Sequence, residues 1–390
     1  MNDKIKLKDA CKILNGFAFK NGKYVDSGIR IIRIANVQKG YVEDERPVFY
    51  PNSEESSIRD YMLEEDDLLL SLTGNVGRVA LLDKRWLPAA LNQRVACLRI
   101  KDDRIIKDYL YFALLSDKFE NDCIESSKGI AQKNMSTEWL KDYEIPLPSG
   151  QKQREIVSSL EQLSMIIKNK TEQIQQLDDL VKARFVEMFG DPSKGDKIKT
   201  DKRKIGEIAT VTKLAGFEFT KYINYQEEGD IIMLRGLNCK NGHLVLDNIK
   251  WIDQAVSDAL PRSKLYKGDI LMTYAGTIGD VAMVDKDNTY HLAPNVGKIS
   301  INNTNEINPV FLTQLFLNTH DYIMSFASQV AQASINMQKI RDFDYYFPPI
   351  ELQNQFANFV TQVDKSKFAV QKSLEKTQLL FDSLMQEYFG

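Results

Sequence analysis

The side chains best suited to chemistry in this chain are amides, guanidiniums and lysines set beside glycine turns. Thr73-Gly74-Asn75-Val76-Gly77-Arg78 joins two glycines to an amide and a guanidinium, and Gln93-Arg94 follows within twenty residues. Arg presents two parallel donors that fit guanine, and Asn or Gln a donor and an acceptor that fit adenine. The glycines could turn backbone N–H groups toward a phosphate, or simply make a tight strand connection. Lys20, Arg33, Asn36, Arg78, Lys133 and Asn134 complete the candidate set in the first half. In the second half the set is Lys221, Arg235, Asn238, Tyr274, Thr277, Asn295, Lys298 and Asn336. Each alone is ordinary surface polarity; together they are candidate contacts to nucleic-acid bases and phosphates.

Catalytic patterns are missing. No Gly-rich dinucleotide or P-loop spacing occurs, and neither a zinc-protease pair of histidines nor a nucleophile elbow is found. The three histidines, His243, His291 and His320, are scattered. An amine methyltransferase would need a polar residue before a Pro-Pro pair and an aromatic after it. Phe347-Pro348-Pro349-Ile350 has the prolines only, and a phenylalanine cannot hydrogen-bond an amine. The four cysteines (Cys11, Cys97, Cys123, Cys239) form no metal spacing and suit a reducing cytoplasm. No catalytic residue, metal site or cofactor site is expected. Net charge is −3, so any polyanion surface must be a local patch rather than a basic domain. Neither an apolar leader nor a run of about 18 apolar residues is present, so a cytoplasmic protein without membrane contact is expected.

The elements that must position these side chains are written twice. Asp67-Leu68-Leu69-Leu70-Ser71-Leu72-Thr73-Gly74 pairs without a gap to Asp269-Ile270-Leu271-Met272-Thr273-Tyr274-Ala275-Gly276. Arg33, Asn36 and Gly40 pair to Arg235, Asn238 and Gly242; Asn134-Met135 to Asn336-Met337; Gly16-Phe17-Ala18-Phe19 to Gly216-Phe217-Glu218-Phe219. Short β-type runs dominate each copy, and Lys107 to Phe119 reads as a helix. Within the shared frame Asn75 faces Thr277, Arg78 faces Asp280, and Leu91-Asn92-Gln93-Arg94 stands against Ala293-Pro294-Asn295. Residues alike in both copies should serve the fold; those that differ can serve what the copies do differently.

Each copy ends in a long helix. Ile156, Leu160, Leu163, Ile167, Ile174, Leu177, Val181 and Met188 form a heptad seam. Phe356, Val360, Val363, Val370, Leu374, Phe381, Leu384 and Tyr388 repeat it 200 residues later, with Lys170 and Lys367 inside the two stripes. Those lysines either fix register or snorkel outward. Apolar groups off the seam, at Ile166, Leu180, Phe185, Phe359, Phe368 and Leu380, are expected to receive partner helices. The expected fold is α+β: two similar globular modules separated by a pair of long antiparallel coiled-coil helices, in an internal pseudo-twofold repeat. The expected boundaries are 1–148 and 193–347 for the modules, with 149–192 and 348–390 for the helices.

The chain resembles the specificity subunit of type I DNA restriction–modification enzymes. The resemblance is carried by Leu140-Lys141-Asp142-Tyr143-Glu144-Ile145-Pro146-Leu147-Pro148 leading into Gln153-Arg154-Glu155-Ile156, and by the helix ending Glu187-Met188-Phe189-Gly190-Asp191-Pro192. The two module frames add to it. It departs at Ser149-Gly150, where a second proline and an apolar residue are usual. The resemblance implies two target recognition domains, each binding one half of a bipartite double-stranded DNA site, with the coiled coil setting the spacer. It implies no catalysis in this chain. Two modification subunits would methylate adenine with S-adenosylmethionine, and restriction subunits would supply cleavage with ATP and Mg. The competing readings are a stand-alone methyltransferase or nuclease, and a coiled-coil adaptor that does not bind DNA.

Overall fold

The computed structural model describes residues 3–127, 134–198, 200–328 and 333–390. The chain divides into two compact units, Met1–Thr171 with Lys372–Gly390, and Glu172–Gln371.

In the first unit β1 (Lys4–Lys6) leads through α1 (Leu7–Ala10) into β2 (Cys11–Asn15). There follow β3 (Ile29–Ile32), β4 (Phe49–Tyr50), β5 (Leu68–Ser71), β6 (Val79–Leu81), β7 (Ala89–Leu91) and β8 (Val95–Ile100). Then come α2 (Lys107–Leu115), α3 (Asp117–Ser126), α4 (Thr137–Asp142), β9 (Glu144–Pro146) and α5 (Gly150–Phe189). One sheet has the order β2-β8-β5-β6, a second the order β4-β3-β7, and β1 pairs with β9. All of β5 is buried, because both of its faces are covered. Leu68 and Leu70 pack with the helices, while Leu69 packs with Val95 and Cys97 under the second sheet. A strand covered on both sides reads as an unbroken apolar run rather than an alternation.

The helix expected over Lys107 to Phe119 is two helices. The Ser116 hydroxyl accepts from Phe119 N–H at 3.3 Å and donates to the Ala113 carbonyl at 2.7 Å, so it ends one helix and caps the next.

The second unit repeats the plan. It holds β10 (Lys202–Lys204), α6 (Ile205–Ile208), β11 (Ala209–Lys213), α7 (Gly216–Tyr222), β12 (Ile231–Leu234), β13 (Cys239–Lys240), β14 (His243–Leu244) and β15 (Lys250–Ile252). These are followed by α8 (Gln254–Ala259), β16 (Ile270–Thr273), β17 (Val281–Met283), β18 (Tyr290–Leu292) and β19 (Val296–Ile301). The unit ends with α9 (Pro309–Asn318), α10 (His320–Met324), α11 (Met337–Arg341), β20 (Asp344–Tyr346) and α12 (Ile350–Phe389). Its sheets run β11-β19-β16-β17 and β15-β12-β18, and β10 pairs with β20.

The 40-residue helices α5 and α12 each give one half to each unit, and within each unit those halves pair antiparallel. In the first unit Ile156 and Leu160 share a core with Met385 and Phe389, and Lys170 Nζ donates to Ser373 Oγ at 2.8 Å. In the second, Phe185 meets Phe356 with ring centroids 5.5 Å apart, and Lys367 pairs with Asp178. Every expected seam residue is buried or half-buried, and both lysines are held across the helix pair rather than turned outward. Helix α5 stops at Gly190, whose φ of 62° is the left-handed capping conformation.

One expected docking group is corrected. Phe185 is fully buried, packed with Phe189, Phe311 and Phe356, because each helix end leaves the seam to enter its unit's core. Phe359 also packs against that core, whereas Ile166, Leu180, Phe368 and Leu380 are exposed.

Candidate nucleic-acid interface

In each unit the repeated glycine turn is tied down by one buried hydroxyl. Ser71 Oγ accepts from Arg78 N–H at 3.0 Å and donates to the Asn75 carbonyl. Thr273 Oγ1 accepts from Asp280 N–H at 2.9 Å and donates to the Thr277 carbonyl. Gly77 and Gly279 have φ of 86° and 85°. A β-carbon at Gly77 would stand 2.9 Å from Cys123 Cβ, so the turn requires glycine there both for backbone and for space. The residues at the tip, Asn75 and Thr277, are exposed.

Two further strands of chain meet this turn. The Leu72 N–H donates to the Arg94 carbonyl at 3.0 Å, and the Met135 N–H donates to the Leu72 carbonyl at 2.9 Å. In the second unit the Tyr274 N–H donates to the Asn295 carbonyl at 3.0 Å, and the Ile335 N–H to the Tyr274 carbonyl at 2.9 Å. The backbone frame is the same. It pairs Arg94 with Asn295, and Met135 with Ile335. The match of Asn134-Met135 to Asn336-Met337 is therefore two residues out of step: Ser136 and Asn336 hold the same place, each capping the next helix.

The first unit's frame surrounds a cleft of about 860 Å³. Gln93, Arg94 and Asn134 line it together with Thr73 and Gly74. So do Asn15, Ile34, Ser136 and Thr137, which sequence reasoning missed. Asn15 enters because β2 lies beside β8, a long-range pairing that no local pattern displays. The Thr137 hydroxyl donates to Asn15 Oδ1 at 3.3 Å across the rim.

The remaining candidates separate by what they already bond. Asn36 and Asn238 are 3% and 0% exposed. Their Oδ1 atoms accept from the backbone N–H of Arg33 and Arg235, and their Nδ2 atoms donate to the carbonyls of Glu43 and Val245. These amides hold a turn and present no edge to a base. Arg33 and Arg235 are half-buried and donate to the carbonyls of Arg46 and Asn248. Lys298 is buried, its Nζ donating to the Lys264 carbonyl at 2.9 Å, and burial lowers its pKa. Arg78 is half-buried and donates to Gln38, and Tyr274 lies under the Lys213 ammonium at 5.3 Å. Asn336 Oδ1 accepts from Lys339 N–H at 2.9 Å. Lys20 and Lys221 are exposed, Lys221 over the Tyr222 ring. Lys133 lies outside the described residues.

The likeness of Gly16-Phe17 to Gly216-Phe217 is not structural. A β-carbon on Gly16 would meet the Asn92 carbonyl oxygen at 2.1 Å, whereas Gly216 opens α7 with nothing within 4 Å. Asp67 and Asp269, also shared, are buried and accept from the N–H of Glu64 and Tyr266, bracing the approach to the central strand.

A family model described as the type I restriction modification DNA specificity domain matches residues 2–178 and again 197–379. The type I restriction enzyme EcoBI specificity subunit of Escherichia coli is 25% identical over 399 residues, covering 96% of this chain and 80% of that one. The MjaVIII specificity subunit of Methanocaldococcus jannaschii is 26% identical over 178 residues, 45% of this chain and 42% of that one. The crystal structure of the S subunit of a type I restriction-modification system from M. genitalium has the same fold. Its TM-score is 0.58 at 17% identity, over 100% of this chain and 96% of that one. With one family model matched twice across nearly its whole length, the chain belongs to the type I restriction–modification DNA specificity family.

Proposed function

We propose that this chain selects DNA for a type I restriction–modification complex and performs no chemical step itself. Each module reads one half of a bipartite double-stranded site. The observation that carries the reading is the exchange of Arg94 for Asn295 on the same backbone frame, with Asn75 and Thr277 exchanged beside them. A module duplicated for one task has no use for such exchanges at its exposed tips, and an adaptor that only binds protein has none either. Two modification subunits methylate adenine with S-adenosylmethionine. They dock on the exposed apolar groups of the paired helices, and those helices set the spacer between half-sites. Restriction subunits using ATP and Mg add cleavage.

The test compares the host's DNA modification with and without this chain, together with S-adenosylmethionine binding by the purified chain. Loss of one bipartite modified motif on deletion, and no cofactor binding by the chain alone, is expected. Cofactor binding by the isolated chain would return the enzyme reading.

A further inference from the structure

We infer that Arg94 and Asn295 read the same register position of the two half-sites, Arg94 taking a guanine and Asn295 an adenine. This rests on the reading of each module as a half-site binder, and goes on to name the base. Both residues end three-residue loops of equal length, 92–94 between β7 and β8 and 293–295 between β18 and β19. Both carbonyls accept the same hydrogen bond, from Leu72 and from Tyr274, at 3.0 Å. Both side chains are exposed, and neither guanidinium nor carboxamide bonds to any other group among the described residues. The loops present them: Asn92 Oδ1 accepts from Arg94 N–H at 3.3 Å, and Asn295 holds a φ of 67°, a conformation asparagine tolerates.

The exchange also sets directional hydrogen bonding apart from charge neutralisation, although an amide, like a guanidinium, can bond a phosphate oxygen. A carboxamide carries no charge, so a role common to both positions is hydrogen-bond recognition and not charge neutralisation. The guanidinium presents an edge of two parallel donors and has no acceptor, which matches the O6 and N7 acceptors of guanine and leaves the N6 donor of adenine unmet. The carboxamide offers one donor and one acceptor, which matches N7 and N6 of adenine and sets its acceptor against O6 of guanine.

The variants are Arg94→Lys, which keeps the charge but loses the fork, and Asn295→Gly, which removes the amide while suiting the positive φ. Modified motifs are sequenced in hosts carrying the wild-type chain, each variant, or a deletion. The wild type should give a bipartite motif with a guanine in one half and, besides the methylated base, an adenine in the other. Arg94→Lys should relax the guanine alone and Asn295→Gly the adenine alone, each losing roughly ten- to a hundred-fold of discrimination. Should a variant abolish modification, the purified complex is titrated with the native site and with the three substitutions at the base in question. A motif unchanged in both variants, relaxation of one half by both, or equal loss on all four duplexes overturns the inference. A deletion that leaves every modified motif in place overturns the half-site reading beneath it.

Discussion

Gln153 and Gln353 make the same three hydrogen bonds, each inside its own unit. Gln153 Oε1 accepts from Ile106 N–H at 2.9 Å, and its Nε2 donates to the carbonyls of Arg104 and Pro148, both at 2.9 Å. Gln353 Oε1 accepts from Asn308 N–H at 2.9 Å, and its Nε2 donates to Glu306 at 3.1 Å and Pro348 at 2.8 Å. Both side chains are at most 1% exposed. The amide fastens the first turn of the long helix to the loop before α2 or α9.

Gln153→Leu or Gln353→Leu strands one N–H and two carbonyls in a dry place. Each orphaned group costs ~1–3 kcal/mol, so each variant should lose at least about 3 kcal/mol in urea denaturation. Wild-type stability in either would show that water reaches these groups.

The two glycine-phenylalanine pairs should behave oppositely. Gly16→Ala forces a methyl into the Asn92 carbonyl and should cost ~1–3 kcal/mol as overpacking. Gly216→Ala places a methyl in open space at a helix start and should be neutral or stabilising by up to ~1 kcal/mol. Equal effects in thermal melts would mean that the two sites are equivalent after all.

His291 gives the second unit a pH dependence. Burial holds its pKa below the usual 6.5, while Leu292 and Leu260 carbonyls lie at 3.2 and 3.4 Å from its ring nitrogens. The folded state therefore binds fewer protons than the unfolded state below about pH 6.5. Stability is fully present above that pH and is lost as pH falls toward the folded value. His291→Gln should flatten the decline that sets in below about pH 6.5. The place of His291 in β18 is held in β7 by Ala90, so the first unit lacks this term. Parallel stability–pH curves for wild type and variant would contradict it.

Leu180 and Leu380 are 47% and 51% exposed on the long helices. Leu180→Glu and Leu380→Glu should leave helical content unchanged and abolish co-purification with a modification subunit. Undiminished capture by both variants would place the docking surface elsewhere.

The duplication, the seam and the glycine turn were legible because each is a local run of residues: β5 and its copy align without a gap, and heptads repeat over many turns. What was not legible depends on long-range pairing. Asn134-Met135 and Asn336-Met337 look alike by accident, and only the hydrogen bonds from Leu72 and Tyr274 set the true step. Phe185 sits off the heptad grid yet is core, since the module arriving after α5 covers that face. Asn36 and Asn238 were readable as structural from their sameness: a residue kept in both copies serves the frame, whereas Arg94 and Asn295 differ.

The most direct test of the account exchanges one module and sequences the modified sites. Replacing residues 11–136 by the same stretch of another family member keeps β1 and its pairing with β9, so the tie that closes the unit survives. The account predicts a modified motif with one half changed and with the other half and the spacer intact. A motif in which both halves change together would contradict it.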